Sequence, residues 1–304
     1  MGLRSMDQAI QKGRSLMYCP QTAEKSAPIL DYDRWNSELP ELTQRYAANQ
    51  PLPHLLIRDF LQAGVANTLA EEFPSVQSRA WIQYKHPNER KLGLTKRSFF
   101  PRVLGQVADE LNSPRFVSWL SRLTGIPGLV ADPALEGGGL HQSTRGGFLN
   151  LHTDFSHHHY HKSWKRRINL ILYLNPHWQA AWGGDIEFWD AGMQRCLVKY
   201  PPLLNHALMF NTDERFFHGF PEPVTCPQGE SRKSLALYYY TAEKDGKSAL
   251  RSTNYRPRPG DGIGKSALIW LDKQVVDLYS QAKTRFGFSD EFASRVLGFI
   301  SGKK

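Results

Sequence analysis

The stretch FLNLHTDFSHHHYHKSWKRRINLILYLN, residues 148–175, decides the fold class of this chain. Two of its segments, FLNLHTDF (148–155) and RINLILYLN (167–175), are short and rich in apolar residues, as is typical of β-strands with a buried face. Similar runs follow, separated by Gly, Pro, Asn and Asp: GDIEFWD (184–190), HALMFN (206–211), RFFHGF (215–220) and RKSLALYYYT (232–241). Many short strands with this punctuation predict a β-sandwich or barrel rather than βαβ units.

Helical patterns precede this β core. PLPHLLIRDFL (51–61) predicts a strand that runs into a helix, and the helix has one apolar face. That face consists of Leu61, Val65, Leu69 and Phe73. A second helix is predicted over residues 112–125, with Ser113 as its N-cap, Pro114 in its first turn and Gly125 at its end. Two helices therefore lead into the core.

Helical patterns also follow the core. After residue 265 an apolar stripe predicts a helix packed on the core, and SDEFASRVLGFISG (289–302) predicts a shorter helix with acidic residues in its first turn. The stripe consists of Leu268, Leu271, Val275, Leu278, Tyr279, Ala282 and Phe286. We therefore expect an α+β protein whose mainly β core lies between N- and C-terminal helices.

Three parts of the chain follow from these patterns. Residues 1–50 are polar and form an N-terminal extension, and residues 51–245 form a domain whose β core spans about 135–241. Residues 246–304 supply a basic linker and C-terminal helices that pack on the core. This division predicts one functional domain with additions at both ends.

Several polar stretches are interpreted as surface. Residues 80–101 are charged and loop-like, and YRPRPGDG (255–262) is extended by its prolines and forms a linker or a lid. HHHYH (157–161) is interpreted as a solvated loop, with the rim of a substrate site as the alternative. The basic group that follows is interpreted as the exposed start of a strand: Lys162, Lys165, Arg166 and Arg167.

Composition narrows the function classes. The 304 residues are 40% hydrophobic, which allows a sizeable core, and no apolar run reaches the roughly 18 residues of a membrane span. The three cysteines, Cys19, Cys196 and Cys226, form no CxxC pair, so neither a disulfide framework nor a cysteine-built zinc site is expected. We expect a cytoplasmic protein that does not act at a membrane.

The net charge of +9 favours an anionic partner. No basic stretch is interleaved with aromatic residues for base stacking, so nucleic acid is not expected. An anionic or carrier-tethered small molecule is the preferred partner, and a purely solubilising role for the charge is the alternative. The sequence says nothing about the oligomeric state.

The first strand of the quoted stretch carries a candidate metal site. His152 and Asp154 are two residues apart, so on a strand their side chains point to the same face. With a distant histidine, His218 in RFFHGF, they make the two-histidine, one-carboxylate set that binds iron(II) and leaves positions open. An HxD pattern alone is common by chance, and a core histidine beside a carboxylate is the alternative.

A second element supports the iron site. Arg232 and Ser234 share one face of the strand RKSLALYYYT, which is otherwise apolar. An inward guanidinium requires an anionic partner, because an unpaired buried charge is costly. Arg232 can bind a carboxylate through two hydrogen bonds, and the Ser234 hydroxyl adds another donor. The C5 carboxylate of 2-oxoglutarate would satisfy this arrangement.

Residues 51–245 resemble the iron(II)/2-oxoglutarate-dependent dioxygenase superfamily, in its prolyl-4-hydroxylase-like branch. The matching pieces are GGGLHQ (137–142), HxD at 152–154, RRINLILYLNPHW (166–178), WGGDIEFWD (182–190), PLLNHALMFN (202–211), HGFPEPV (218–224) and RxSLALYYY (232–240). The resemblance implies a double-stranded β-helix, also called a jelly roll or cupin-like fold.

The resemblance also implies cofactors and site residues. His152, Asp154 and His218 would bind Fe(II), and Arg232 with Ser234 would bind 2-oxoglutarate. Further contacts to this cosubstrate are expected from the polar residues Asn169, Tyr173 and Gln142. O₂ is the second cosubstrate, and succinate and CO₂ are the coproducts. Because Asp154 is present, hydroxylation of an unactivated C–H bond is favoured over halogenation.

Several functions remain open at this point. The preferred one is hydroxylation of a small molecule or biosynthetic intermediate, and the first alternative is a protein hydroxylase that acts on prolyl or other side chains. A closed pocket favours the small molecule and a long open groove favours the protein. A non-enzymatic jelly-roll binding module is less favoured, because the ligand set and Arg232 are intact. A zinc hydrolase would leave Arg232 unexplained.

Overall fold

A computed structural model describes residues 28–243 and 251–286 of the chain. In this part the helices are α1 (Tyr32–Ala48), α2 (Ala63–Glu71), α3 (Arg102–Leu111), α4 (Pro114–Thr124) and α5 (Ile263–Phe286). The strands are β1 (His54–Ile57), β2 (Ile82–His86), β3 (Glu89–Leu94), β4 (Leu129–Ala131), β5 (Gly139–Ser143), β6 (Phe148–Thr153), β7 (Trp164–Tyr173), β8 (Ile186–Trp189), β9 (Cys196–Tyr200), β10 (His206–Asn211), β11 (Phe217–Phe220), β12 (Arg232–Ala242) and β13 (Asn254–Tyr255). The helix predicted over residues 289–302 and most of the predicted N-terminal extension lie outside the described residues.

The strands form one curled antiparallel sheet. Its order is β1-β10-β7-β12-β5-β3-β6-β11-β8-β9, so strands distant in sequence become neighbours. The long strands β7 and β12 pair through the middle of this order, from Ser234 beside Tyr173 to Ala242 beside Trp164. The α+β fold with a double-stranded β-helix core and flanking helices is therefore confirmed.

The N-terminal helices cover the outer face of the sheet. In α4 the Ser113 side chain accepts a hydrogen bond from the Phe116 N–H, and Gly125 ends the helix with a φ of +69°. Both features confirm the predicted cap and stop. The indole of Trp119 donates to the Trp35 carbonyl, and both rings are buried in the main hydrophobic cluster. This packing fixes α1 and α4 on the sheet.

The interpretation of residues 80–101 as a loop is wrong. Most of this stretch forms β2 and β3, which pair with each other, and β3 also pairs with β5 and β6. Interspersed charged and polar residues hide the apolar alternation that marks a strand in sequence. Glu89 of β3 pairs with His86 on β2 and with Lys91, so the buried part of β3 can lie within the sheet.

The C-terminal helix α5 docks through a different face from the predicted one. Ile269 and Asp272 are buried, whereas the predicted apolar stripe is exposed at Leu268, Leu271, Val275 and Leu278. The Asn88 side-chain amide donates to the Asp272 carboxylate at 2.7 Å, so polar contacts anchor the helix. No helix among the described residues has the length and apolar character that a membrane span requires.

Candidate metal centre

Two neighbouring strands bring the predicted metal ligands together. His152 lies near the end of β6, Asp154 follows that strand directly, and His218 on β11 is paired with His152. One ligand atom from each residue lies within 4.8 Å of the others. The nearest Asp154 oxygens are 3.8 Å from His152 Nε2 and 3.5 Å from His218 Nε2. This spacing allows one ion to contact all three side chains.

Each ligand is oriented by a neighbour. His152 Nδ1 lies 2.9 Å from the Asn150 carbonyl, and because a carbonyl only accepts, Nδ1 carries the proton and Nε2 is left as the donor atom for a metal. The Asn169 amide donates to Asp154 Oδ2 at 2.8 Å. The Arg166 guanidinium lies 3.2 Å from Asp154 Oδ1. Each oxygen of the Asp154 carboxylate is therefore contacted by a side chain of the protein, Oδ2 by Asn169 and Oδ1 by Arg166.

The protonation states suit a metal. Burial lowers the pKa of His152, and it lowers the pKa of His218 to about 3, so both imidazoles are neutral near pH 7. Burial alone would raise the pKa of Asp154, but Arg166 and the two histidines outweigh it and the pKa falls to about 2. Two neutral nitrogen donors and one carboxylate fit the ligand preference of iron(II).

Arg232 is the second anchor of the site. Its guanidinium is buried, donates from Nε to the Gly184 carbonyl at 2.7 Å and from one terminal nitrogen to the Tyr173 hydroxyl at 3.2 Å. Within residues 28–243 and 251–286, no carboxylate lies within ion-pair distance of it. A buried guanidinium without a carboxylate partner fits a site for an acidic ligand.

The metal ligands and Arg232 face one cavity of about 220 Å³. Ser234 and Asn169 also line it, whereas Tyr173 reaches the site through its hydrogen bond to Arg232. The remaining polar lining includes Tyr84, Glu89, Lys91, Glu136, His141, Ser143, His159, Arg166, Tyr238, Ser252, Thr253, Tyr255 and Ser280. The structure thus brings together seven of the eight predicted site residues.

A comparison of the sequence with protein families agrees with this geometry. Residues 138–240 match the model of the 2OG-Fe(II) oxygenase superfamily. The matched segment, which holds the three candidate metal ligands and Arg232, is a 2OG-Fe(II) oxygenase domain. The oxygenase is a dioxygenase of the hydroxylase type, with iron(II) as cofactor and 2-oxoglutarate and O₂ as cosubstrates. No curated protein matches it in sequence.

Several solved structures are similar to the oxygenase at low sequence identity. The prolyl hydroxylase of Trichoplax adhaerens, in complex with a hypoxia inducible factor peptide fragment, is 15% identical with a TM-score of 0.50, over 69% of this chain and 91% of that chain. A prolyl-4-hydroxylase of Pseudomonas putida is 15% identical with a TM-score of 0.47, over 66% and 98%. HygX from Streptomyces hygroscopicus, with nickel, 2-oxoglutarate and hygromycin B bound, is 15% identical with a TM-score of 0.42, over 71% and 96%.

Gln142, which we expect to contact the cosubstrate, lies outside the cavity lining of the oxygenase. Its amide donates to the Ser231 hydroxyl at 2.7 Å, and its side chain does not line the cavity. The neighbouring His141 lines the cavity instead, because successive residues of β5 point to opposite faces. Burial lowers the pKa of His141 to about 3, so its ring is neutral.

Arg166 is the most important site residue that the sequence interpretation missed. It was expected at an exposed strand start, but its side chain is 1% exposed and stacks 3.4 Å from the Tyr238 ring centroid. Its Nε donates to the side-chain oxygen Oδ1 of Asn169 at 2.8 Å. Four basic residues within a stretch of six conceal which one points inward. Strict alternation of strand faces, counted back from Tyr173, predicts that residue 167 points inward. In the structure the inward residue is Arg166, because the pairing of β7 with β12 shifts register between Tyr239 and Tyr240.

The histidine run of the oxygenase is not a solvated loop. His157 and His158 are buried, and the three consecutive imidazoles each lie near a different carboxylate. These pairs are His157 with Glu243 at 3.5 Å, His158 with Asp132 at 3.3 Å and His159 with Glu136 at 3.1 Å. His159 also lines the cavity, so this stretch forms part of its wall, as the alternative interpretation predicts.

Proposed function

We propose that the oxygenase hydroxylates an unactivated C–H bond of a small molecule at the metal held by His152, Asp154 and His218. The observation that carries this proposal is the convergence of these ligands on one cavity with Arg232, whose buried guanidinium has no carboxylate within ion-pair distance in the described residues. A metal site and an acceptor for an acidic cosubstrate therefore lie side by side. The pairing is what this chemistry requires.

The roles of the individual side chains follow from their contacts. Arg232, with the Tyr173 hydroxyl and Ser234, binds the C5 carboxylate of 2-oxoglutarate and so fixes its orientation. Asn169 acts on Asp154 rather than on the cosubstrate, because its amide already donates to that carboxylate. Together with Arg166 it keeps Asp154 ionised and in place.

When bound, iron(II) with 2-oxoglutarate supplies the oxidising power that inserts one oxygen atom of O₂ into a C–H bond, with succinate and CO₂ as coproducts. The chain's own residues orient the cosubstrate and exclude water from the cavity. The presence of a carboxylate at position 154 favours hydroxylation, because no ligand position is freed for a halide.

The shape of the cavity favours a small substrate. Ser252 and Thr253, which precede β13, and Ser280 on α5 all line it, so the C-terminal part of the described chain supplies some of its wall. A cavity of about 220 Å³ suits a small molecule better than a polypeptide segment. We propose that residues 51–245 form the catalytic domain and that residues 252–280 complete the wall of its cavity.

The first test is anaerobic addition of iron(II) and then 2-oxoglutarate to the purified protein, observed through the visible charge-transfer band of the complex. We expect the band in wild-type protein and its loss in His152→Ala and His218→Ala. His177→Ala is the matched control, because His177 is exposed and remote from the cavity lining. Folded, iron-loaded wild-type protein without a band would contradict the proposal and favour a binding module.

The second test separates substrate classes. Succinate formation from 2-oxoglutarate is measured with a set of small metabolites and with a set of proline-containing peptides. Stimulation by small molecules supports the proposed class, and stimulation by peptides alone assigns the oxygenase to protein side-chain hydroxylation. The free cysteines Cys196 and Cys226 agree with the reducing cytoplasm in which we propose that the enzyme acts.

A further inference from the structure

Lys91 is a buried cation that the proposed mechanism does not use. It lies on β3, its side chain is 16% exposed, and it lines the same cavity as the metal ligands. Lysine is among the residues least often buried, since its ammonium group is strongly hydrated. A buried lysine at the wall of a substrate cavity therefore needs an explanation beyond packing.

A chain of alternating charges leads to Lys91. Its Nζ lies 2.8 Å from the Glu89 carboxylate, which lies 2.8 Å from His86 Nε2, and His86 Nδ1 lies 2.7 Å from the Asp272 carboxylate on α5. Burial lowers the pKa of His86, but the two carboxylates outweigh it and raise the pKa to about 9, so His86 is charged at neutral pH. From α5 to the cavity the charges therefore alternate: Asp272 is negative, His86 positive, Glu89 negative and Lys91 positive.

The cationic end of this chain is the one that faces the cavity. Glu89 shares its charge between His86 and Lys91, so it compensates Lys91 only in part. An ammonium group has three N–H donors, and Glu89 is the one ion-pair partner of Lys91 in the part of the chain that the structure describes. Lys91 therefore keeps donors for a ligand.

Lys91 and Arg232 are separate anchors. In the sheet order their strands, β3 and β12, are separated by β5. Lys91 is nevertheless close enough to the metal ligands to lower the pKa of His152 and His218, after the larger effect of burial. One cation can therefore bind the cosubstrate while the other contacts a molecule held on the open side of the metal site.

We propose that Lys91 binds an acidic group of the substrate, a carboxylate or a phosphate. This inference rests on the proposed function and names its substrate class: an anionic small molecule, held by its acidic group while the carbon to be hydroxylated faces the metal ligands. The hydroxyls of Thr253 and Tyr84, which line the same cavity, provide further polar contacts for the acid. A charge-assisted hydrogen bond in a buried site is strong enough to select the acid over its neutral amide.

The test compares acidic and neutral probes of one shape. Benzoate, phenyl phosphate and benzamide are titrated calorimetrically into the full-length protein with iron(II) and 2-oxoglutarate under argon. We expect one acidic probe to bind at least about tenfold more tightly than benzamide. The identity of that probe distinguishes a carboxylate from a phosphate, and the charge-transfer band shows that 2-oxoglutarate remains bound to the enzyme.

Substitutions then assign the preference to one residue. Lys91→Met should abolish the preference for the acid, Lys91→Arg should retain it, and Lys85→Met, an exposed lysine on β2, should leave it unchanged. An equal preference in wild type and Lys91→Met, or no preference in wild type, would overturn the inference. Circular dichroism establishes that each variant is folded.

The design also separates this inference from the proposed function. Absence of the band in wild type contradicts the iron and 2-oxoglutarate assignment alone. The same titrations are then made on metal-free Arg232→Met protein, where the second cation of the cavity is removed. If the Arg232→Met, Lys91→Met double variant no longer binds the acid, the site at Lys91 is supported. If the double variant binds the acid as tightly as Arg232→Met does, the site is refuted.

Discussion

The guanidinium of Arg166 lies 3.2 Å from the carboxylate of Asp154 and also donates through Nε to Asn169, which itself donates to Asp154. The three side chains form a closed triangle behind the candidate metal ligands. Groups that hold a metal ligand from behind fix its direction and its charge, and their loss weakens metal binding.

The first prediction concerns this triangle. Arg166→Met should lower the affinity for iron(II) by about 10- to 100-fold, because Asp154 loses its cationic partner and part of its orientation. The measurement is a metal titration under argon with circular dichroism as the folding control. Arg167→Met is the matched variant, since Arg167 is only partly buried and its nearest polar partner is Thr241 at 3.5 Å. Equal iron affinities in both variants would refute the role of Arg166.

The second prediction concerns the cosubstrate. Arg232→Met should raise the Kd of 2-oxoglutarate by about 100-fold while the affinity for iron(II) stays near the wild-type value, because Arg232 contacts the acid and not the metal. The Kd of 2-oxoglutarate for Arg232→Lys should lie between the wild-type and Arg232→Met values, since an ammonium group cannot form the two parallel hydrogen bonds of a guanidinium. Lys233→Met is the control, because its side chain points to the other face of β12. A Kd that is unchanged in Arg232→Met would exclude this binding mode.

The third prediction concerns the close approach of β11 to β6 beside His218. A Cβ at Gly219 would lie 2.6 Å from the Leu149 carbonyl oxygen and 2.8 Å from that of Asn150, so the strands must separate in Gly219→Ala. We expect a loss of about 1–3 kcal/mol in the free energy of unfolding and weaker iron binding. Gly64→Ala in α2 has no atom within 4 Å of its Cβ and should be neutral or slightly stabilising. Denaturant titration and metal titration measure both effects.

The fourth prediction concerns pH. The pKa of His86 is raised in the folded protein to about 9, above its ordinary value of 6.5, so protonated His86 stabilises the fold fully below pH 6.5. This contribution, on the order of 2–3 kcal/mol, is lost as the pH rises through 9. Unfolding free energies measured from pH 6 to 10 should therefore fall in wild type.

His86→Gln tests the assignment of this pH dependence. Glutamine keeps hydrogen-bonding capacity but does not titrate, so the fall in stability above pH 6.5 should be reduced in this variant. The exposed His177→Gln should behave as wild type. A fall of the same size in His86→Gln would show that other groups cause it.

The fold and the metal ligands could be predicted from the sequence because both depend on local periodicity. Alternation along short strands gave the β core, and the two-residue spacing of His152 and Asp154 put both side chains on one face. The cap at Ser113 and the stop at Gly125 are equally local, since each is set by the backbone of a single helix end. Arg232 was found because a charge on an apolar strand needs a partner.

Sequence spacing did not predict the residues around these ligands. Arg166 was one of four neighbouring basic residues, Lys91 lay in a charged stretch without periodicity, and Gln142 and His141 could have exchanged faces. Pairing between distant strands decides such cases: β3 is placed between β5 and β6 although some fifty residues separate them in sequence. Likewise, α5 turns its polar residue Asp272 inward, because the Asp272 carboxylate bonds to His86 on β2 and to Asn88 in the turn between β2 and β3.

The sequence by itself therefore determined the fold class, the candidate metal ligands and the anchor that we propose for 2-oxoglutarate. Each depends on residue chemistry and on strand or helix periodicity, which act over a few residues. Only the tertiary structure decided which charges enter the cavity, because a buried ion is stable only where a partner meets it. The triangle at Asp154 joins β7 to the end of β6, and the charge chain that ends at Lys91 continues through His86 on β2 to Asp272 on α5.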